Sequence, residues 1–157
     1  MAGIISYIGM IVGSIGIFLG FYYLTSNPDL SLGLVTVTTV GFVGILGFVR
    51  HVIFYKSDAK RLDWETDRPD WMFEVGFANL AFGVMGVLSV VGNQVPHTQA
   101  FVLLGYAVYL LQAAALHGYR YFTDTRKSPA RLWRSCIATL LYAGAMAFFA
   151  IGALSLR

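Results

Sequence analysis

Five stretches of this chain are long, apolar and almost free of charge, and no other feature limits its fold so strongly. The first, at about residues 3–24, contains no charged side chain. At about 1.5 Å per residue, a helix of that length crosses the roughly 30 Å hydrocarbon core of a bilayer. The other four lie at about 33–55, 70–92, 100–122 and 132–156. The sequence therefore predicts an all-α fold, an integral membrane bundle of five transmembrane helices.

The composition supports a chain that is solvated by lipid. Hydrophobic residues make up 57% of it and charged residues only 12%, whereas soluble proteins carry about a quarter charged residues. The connections between the stretches are short, so we expect residues 1–157 to form a single membrane domain. The net charge is +3, but the basic residues flank the apolar stretches and form no free patch with interleaved aromatics. We expect the lipid bilayer as a partner and no nucleic acid.

The distribution of Lys and Arg indicates how the spans are oriented. Ten of the eleven lie in the second and fourth connections or at the helix ends beside them, and the first and third connections have none. Only Arg157 falls on the other side. Cytoplasmic connections of membrane proteins are rich in Lys and Arg. The pattern predicts a cytoplasmic N-terminus and a C-terminus outside.

Glycines recur at helical spacing in the first two spans. They are Gly9, Gly13, Gly16 and Gly20 in the first span and Gly41, Gly44 and Gly47 in the second. Small residues allow membrane helices to approach closely. The stripe on the first span has two interpretations, an interface with another subunit or packing within the chain, and packing within the chain is slightly favoured.

The third span differs from the others because it carries a carboxylate and an amide inside the apolar stretch. At 100° per residue, Asn79 shares one side of the helix with Gly76, Gly83 and Gly86, and Glu74 lies roughly opposite. A helix with two sides that avoid lipid is expected at the centre of the bundle. The prediction is that the chain is organised around this third span.

Three ionisable residues on different spans have similar predicted depths. His51, Glu74 and His117 each lie four or five residues from a cytoplasmic helix end, which places them roughly 6–8 Å inside the same membrane edge. Imidazoles and a carboxylate can bind Zn, Fe or Mn. The three residues are therefore a candidate metal site, and ionisable groups at such depth suggest a site by default.

Polar contacts between helices are the simpler interpretation of the same residues. Arg134 on the fifth span is at a similar level and could pair with Glu74, while Asn79 and Gln112 lie deeper. We predict that Asn79, Gln112 and Arg134 make structural polar contacts. A proton relay is a third possibility. No single helix has HxxxH, HExxH or ExxH spacing, so polar contacts are favoured over a metal site.

The region from Arg50 to Leu88 resembles a family of small, uncharacterised bacterial and archaeal membrane proteins classed as a domain of unknown function. In that family a span ends in His and Phe, a short loop reaches a Trp, and the next helix opens with aromatic-Gln-aromatic-Glu-Val-Gly, Ala-Asn-Leu and Gly. The matching residues are His51, Phe54, Trp64, Trp71 to Gly76, Ala78-Asn79-Leu80 and Gly83. His117-Gly118 resembles a later Gly-His position, and Met72 replaces the Gln. The resemblance implies a shared architecture, a His51, Glu74 and His117 constellation and a bacterial or archaeal plasma membrane, but no reaction.

These patterns favour a non-catalytic role. We expect an accessory or scaffolding subunit of a homo-oligomer or larger membrane complex, with other membrane subunits or copies of itself as partners. The alternative is a small proton- or metal-linked transporter, or a membrane metal-binding protein. No catalytic residue is predicted, since GxSxG and triad spacings are absent. The sequence identifies no cofactor.

Overall fold

The structure is a computed structural model that describes residues 1–62, 67–92, 95–123 and 132–155, and every regular element in those ranges is helical. The long helices are α1 (Ala2–Tyr23), α2 (Pro28–Ile53), α4 (Asp70–Val91), α5 (Pro96–Thr123) and α6, which begins as a π-helical turn (Trp133–Ile137) and continues as Ala138–Ser155. A short helix, α3 (Tyr55–Leu62), follows α2. Five helices are long and apolar enough to cross a membrane. The predicted all-α fold with five spans is confirmed.

Helix α2 begins at Pro28, five residues before the predicted boundary, because Asn27 and Pro28 favour the start of a helix. The side-chain oxygen of Asn27 accepts a hydrogen bond of 3.1 Å from the Leu30 N–H. Pro28 occupies the first helical position, where its missing N–H costs nothing. The prediction placed the start of this helix at residue 33 because it considered only the apolar stretch, and the first turn of the helix is polar.

The central helix of the bundle is α2, and α1, α4, α5 and α6 all pack against it. Half of its most apolar window is buried, compared with 22–28% in the other four. The expectation that the third span is central was wrong. Helix α4 buries its small-residue side against α2, but Glu74 is exposed, and Phe77 and Leu88 also face outward.

Two π-helical turns, Val37–Phe42 and Val49–Ile53, interrupt α2. A π-helical turn disturbs the regular carbonyl ladder, and threonine hydroxyls can bond back to such carbonyls. Three threonine hydroxyls in α2 each donate a hydrogen bond of 2.7–2.8 Å to the backbone carbonyl four residues earlier. The pairs are Thr36 with Leu32, Thr38 with Leu34 and Thr39 with Val35. The second π-helical turn carries Arg50 and His51.

Glycines bring the backbones of α2 and α4 into direct contact. A Cβ atom on Gly44 would lie 2.7 Å from the Asn79 carbonyl oxygen and 2.9 Å from Gly83 Cα. A Cβ on Gly86 would lie 2.7 Å from the Gly41 nitrogen. Only glycine permits this separation. The two backbones are therefore packed directly against each other at the level of Asn79.

The glycine stripe of α1 packs within the chain, as the favoured interpretation predicted. All four glycines are buried, and a Cβ on three of them would clash with a side chain of another helix: with Tyr142 at Gly13, with Thr38 at Gly16 and with Val35 at Gly20. The opposite side of α1 exposes large apolar residues, including Ile4, Ile11 and Phe18. That side is suited to lipid.

Candidate functional site

A partly open cavity of about 580 Å³ lies between the helices, and all five long helices and α3 contribute to its wall. It reaches from Arg50, near the end of α2, to Tyr142, whose hydroxyl donates a 3.4 Å hydrogen bond to the Thr39 carbonyl. Tyr106 and His117 both line the cavity and are eleven residues apart on α5, which corresponds to roughly 16 Å. The cavity therefore runs from the end of the membrane span well into it.

A buried carboxylate, Asp58 on α3, gathers the charged side chains at one end of this cavity. Its Oδ1 accepts a 2.9 Å hydrogen bond from Arg61 Nε and lies 2.8 Å from an Nη of the same guanidinium. Its Oδ2 lies 2.9 Å from His51 Nδ1 and 3.3 Å from Arg50 Nε. These two contacts have the length of hydrogen bonds but a bent geometry. We call Arg50, His51, Asp58 and Arg61 the charged cluster.

The hydrogen bond between Arg50 and His51 fixes the state of the imidazole. Arg50 Nη2 lies 2.9 Å from His51 Nε2, and a guanidinium can only donate. Nε2 must therefore accept, which leaves the imidazole neutral with its proton on Nδ1, facing Asp58. The charged cluster consists of two cations, one carboxylate and one neutral ring.

The pKa of Asp58 reflects competition between burial and charge. Its side chain has no exposed surface, and burial by itself raises the pKa of a carboxyl. The close His51 N–H and the charges of Arg50 and Arg61 lower the pKa by more, so that it lies below its usual value. Asp58 is therefore ionised at neutral pH.

Helix α3 is positioned by contacts with the start of α1. The Ala2 N–H donates a 3.2 Å hydrogen bond to Ser57 Oγ, and Ala59 is fully buried. These contacts hold α3 against the bundle, and Asp58 consequently points inward. The Asp58 carboxylate is therefore buried in the interior of the protein, although it follows the second span in the sequence.

A second polar group lies deeper and is fully hydrogen-bonded. Asn79 Nδ2 donates to the Val75 carbonyl at 2.8 Å and to the Tyr109 hydroxyl at 3.0 Å, and Asn79 Oδ1 accepts from the Tyr106 hydroxyl at 2.8 Å. Asn79 and Tyr106 are both buried. The amide joins α4 to α5 at the cavity wall.

The structure separates the residues that the sequence suggested as a metal site. His51 is buried in the charged cluster, His117 is half-buried and lines the cavity, and Glu74 is exposed on α4. Within the described ranges, no group of three or more His, Cys, Asp or Glu side chains is placed to hold a metal ion. His51 contacts Asp58 instead of Glu74.

The other predicted polar residues have different surroundings. Gln112 lines the cavity together with Asn79. The Arg134 side chain lies outside the described part of the structure, as does Trp64, so their predicted roles stay predictions.

Sequence reasoning missed Asp58, Tyr106 and Tyr109. Asp58 has a sequence signal, because Arg61 follows it at the i, i+3 spacing of a helical ion pair and His51 precedes it by seven residues. The two tyrosines lie in an apolar stretch where an aromatic residue is unremarkable, so nothing marked them as partners of Asn79.

Comparison with known proteins gives a family and no activity. No curated protein and no solved structure has a significant match to the chain. A family model described as a family of unknown function, DUF6790, matches residues 3–155. The match covers almost the entire chain. The protein therefore belongs to the DUF6790 family, whose function is unknown.

Proposed function

We propose that this protein is a non-catalytic accessory protein of the membrane that binds an amphipathic small molecule between its helices. It would act as a monomer, as a homo-oligomer or as a subunit of a larger membrane complex. The observation that carries this proposal is the cavity, which is lined by all five long helices and has the charged cluster at one end.

The size and wall of the cavity suit such a ligand. Small-molecule sites typically have volumes of about 300–1,000 Å³, a mostly apolar wall and a few placed polar groups. Here Met10, Leu46 and Leu110 supply apolar wall, and Arg50 and Ser6 supply polar groups at one end. An apolar tail and a polar head would each meet a matching part of the wall.

Binding of an amphiphile is favoured over the metal-linked alternatives. A metal at His51 would have to displace the contacts of both ring nitrogens, to Asp58 and to Arg50. Glu74 is exposed and does not share the position of His51. The amphiphile needs no such rearrangement.

The experiment compares a substitution that fills the cavity with the same substitution on the exposed side of the same helix. Ala113 lines the cavity, and Ala115, on the same helix, is exposed. In delipidated protein held in a non-ionic detergent, binding of dodecanoate and of methyl dodecanoate is measured by native mass spectrometry. We expect Ala113→Phe to lower binding of whichever probe the protein binds by at least about tenfold, and Ala115→Phe to leave it unchanged. Equal binding by the two variants, or no binding of either probe to the unaltered protein, would overturn the proposal.

We also propose the orientation and the membrane. Ten of the eleven basic residues belong to the second and fourth connections or their edges, which supports a cytoplasmic position for both. The family resemblance supports a bacterial or archaeal plasma membrane.

A further inference from the structure

The charged cluster holds more positive than negative charge. Arg50 and Arg61 share the single carboxylate of Asp58, and His51 is neutral by its hydrogen bonding. Within the described part of the chain, no second carboxylate forms an ion pair with either guanidinium. An excess cation at the edge of a low-dielectric interior is costly unless an anion accompanies it.

Arg50 lines the cavity and has donors left over. A guanidinium carries five N–H donors, and the described contacts of Arg50 use three, to Asp58, His51 and Ser6. The Ser6 contact is long, at 3.4 Å. A quarter of the Arg50 side chain is accessible although Asp58 beside it has no exposed surface, and Arg50 lines the cavity. Part of the Arg50 side chain is therefore accessible beside the cavity, and two of its donors have no described contact.

We propose that the cavity takes a single-chain amphiphile with a carboxylate head, held by Arg50 and Arg61, and an apolar tail directed toward Tyr142. This inference rests on the proposed function and specifies its ligand class. A guanidinium fork matches the two oxygens of a carboxylate, and one monovalent head balances the one excess cation. The roughly 16 Å between the levels of Tyr106 and His117, which both line the cavity on α5, provides length for a tail.

The test separates head from tail with three probes. Dodecanoate has both, methyl dodecanoate has the tail without the charge, and acetate has the charge without the tail. We expect the protein to bind dodecanoate at least about tenfold more tightly than methyl dodecanoate. Acetate at equal concentration should not displace dodecanoate.

Variants assign the preference to the charged cluster. Arg50→Gln should abolish the preference for dodecanoate over its methyl ester, Arg61→Gln should reduce it, and Arg50→Lys should retain part of it. Arg68→Gln is the matched control, because Arg68 is 90% exposed, and it should change nothing. If Arg50→Gln fails to fold, Arg61→Gln and Arg50→Lys still decide the question.

The outcomes of these experiments distinguish the carboxylate-head proposal from the proposed function on which it rests. Equal binding of dodecanoate and its methyl ester, with both lost in Ala113→Phe, would overturn the carboxylate head and leave the cavity function standing. Displacement by acetate would overturn the amphiphile and indicate a simple carboxylate site. Failure of both dodecyl probes to bind would overturn both proposals.

Discussion

At the scale of single residues, Asp58 is the side chain on which the most contacts depend. One carboxylate faces Arg50 and His51 on α2 and Arg61 on its own helix. Removing one partner from a buried group of charges costs much more than the group contributes as a whole. The carboxylate therefore controls how α3 is held against the end of α2.

Replacing Asp58 by Asn should destabilise the protein by about 3 kcal/mol, because two guanidiniums would lose their only described carboxylate partner. The measurement is the free energy of unfolding in a non-ionic detergent. Asp70→Asn is the control, since its carboxylate is 74% exposed and lies 4.0 Å from Arg68, and should cost less than about 1 kcal/mol. Equal losses in the two variants would contradict the role of Asp58.

The contribution of Asp58 to stability should depend on pH in a defined direction. Its pKa is lower in the folded protein than the usual value, so the unfolded chain binds the proton more readily. The stability advantage over Asp58→Asn is therefore fully present above the unfolded pKa of about 3.9 and is lost as the pH falls through the lower folded pKa. Unfolding of both proteins is compared between pH 7 and pH 2. An advantage that already declines between pH 7 and pH 5 would assign the effect to another group.

At the scale of helices, the contact between α2 and α4 is made by backbone rather than side chains. The atoms nearest to a Cβ on Gly44 belong to the backbones of Asn79 and Gly83. Backbone atoms cannot turn aside as the end of a flexible side chain can, so the whole helix would have to move. Asn79 would move with it and lose its alignment with the tyrosines of α5.

Gly44→Ala should therefore destabilise the protein by about 1–3 kcal/mol, as overpacking does in other interiors. Gly144→Ala on α6 is the matched control, because a Cβ there meets nothing within 4 Å among the described residues. Alanine favours a helix more than glycine by up to about 1 kcal/mol, so this variant should be neutral or stabilising. The measurement is again unfolding in detergent, and a similar loss at both sites would argue against the close approach.

At the scale of the whole molecule, the orientation in the membrane can be tested with single cysteines. In a Cys136→Ala background, Ser26→Cys labels the first connection and Lys60→Cys labels the second; both positions are exposed. In intact cells, a membrane-impermeant maleimide should label Ser26→Cys and reach Lys60→Cys only after permeabilisation, because the basic connections are expected in the cytoplasm. The reverse pattern would invert the proposed topology.

The sequence by itself predicted the five spans that the described residues form, and placed their ends to within about five residues. Apolar length and the near absence of charge are local properties, and the thickness of the bilayer turns them directly into spans. Local helical geometry also placed Asn79 on the glycine side of α4, where the structure has it. That placement needed only the period of one helix.

The tertiary structure decided which helix is central, which residues meet and where the cavity lies. Lipid tails are as apolar as a protein interior, so an apolar side chain carries no signal of whether it faces lipid or another helix. In the absence of that signal, α4 was expected at the centre because it carries Glu74 and Asn79, and Glu74 was grouped with His51 because their depths are similar. The partner of His51 is Asp58, which depends on how α3 folds back against the bundle, and only the packing of separate helices fixes that contact.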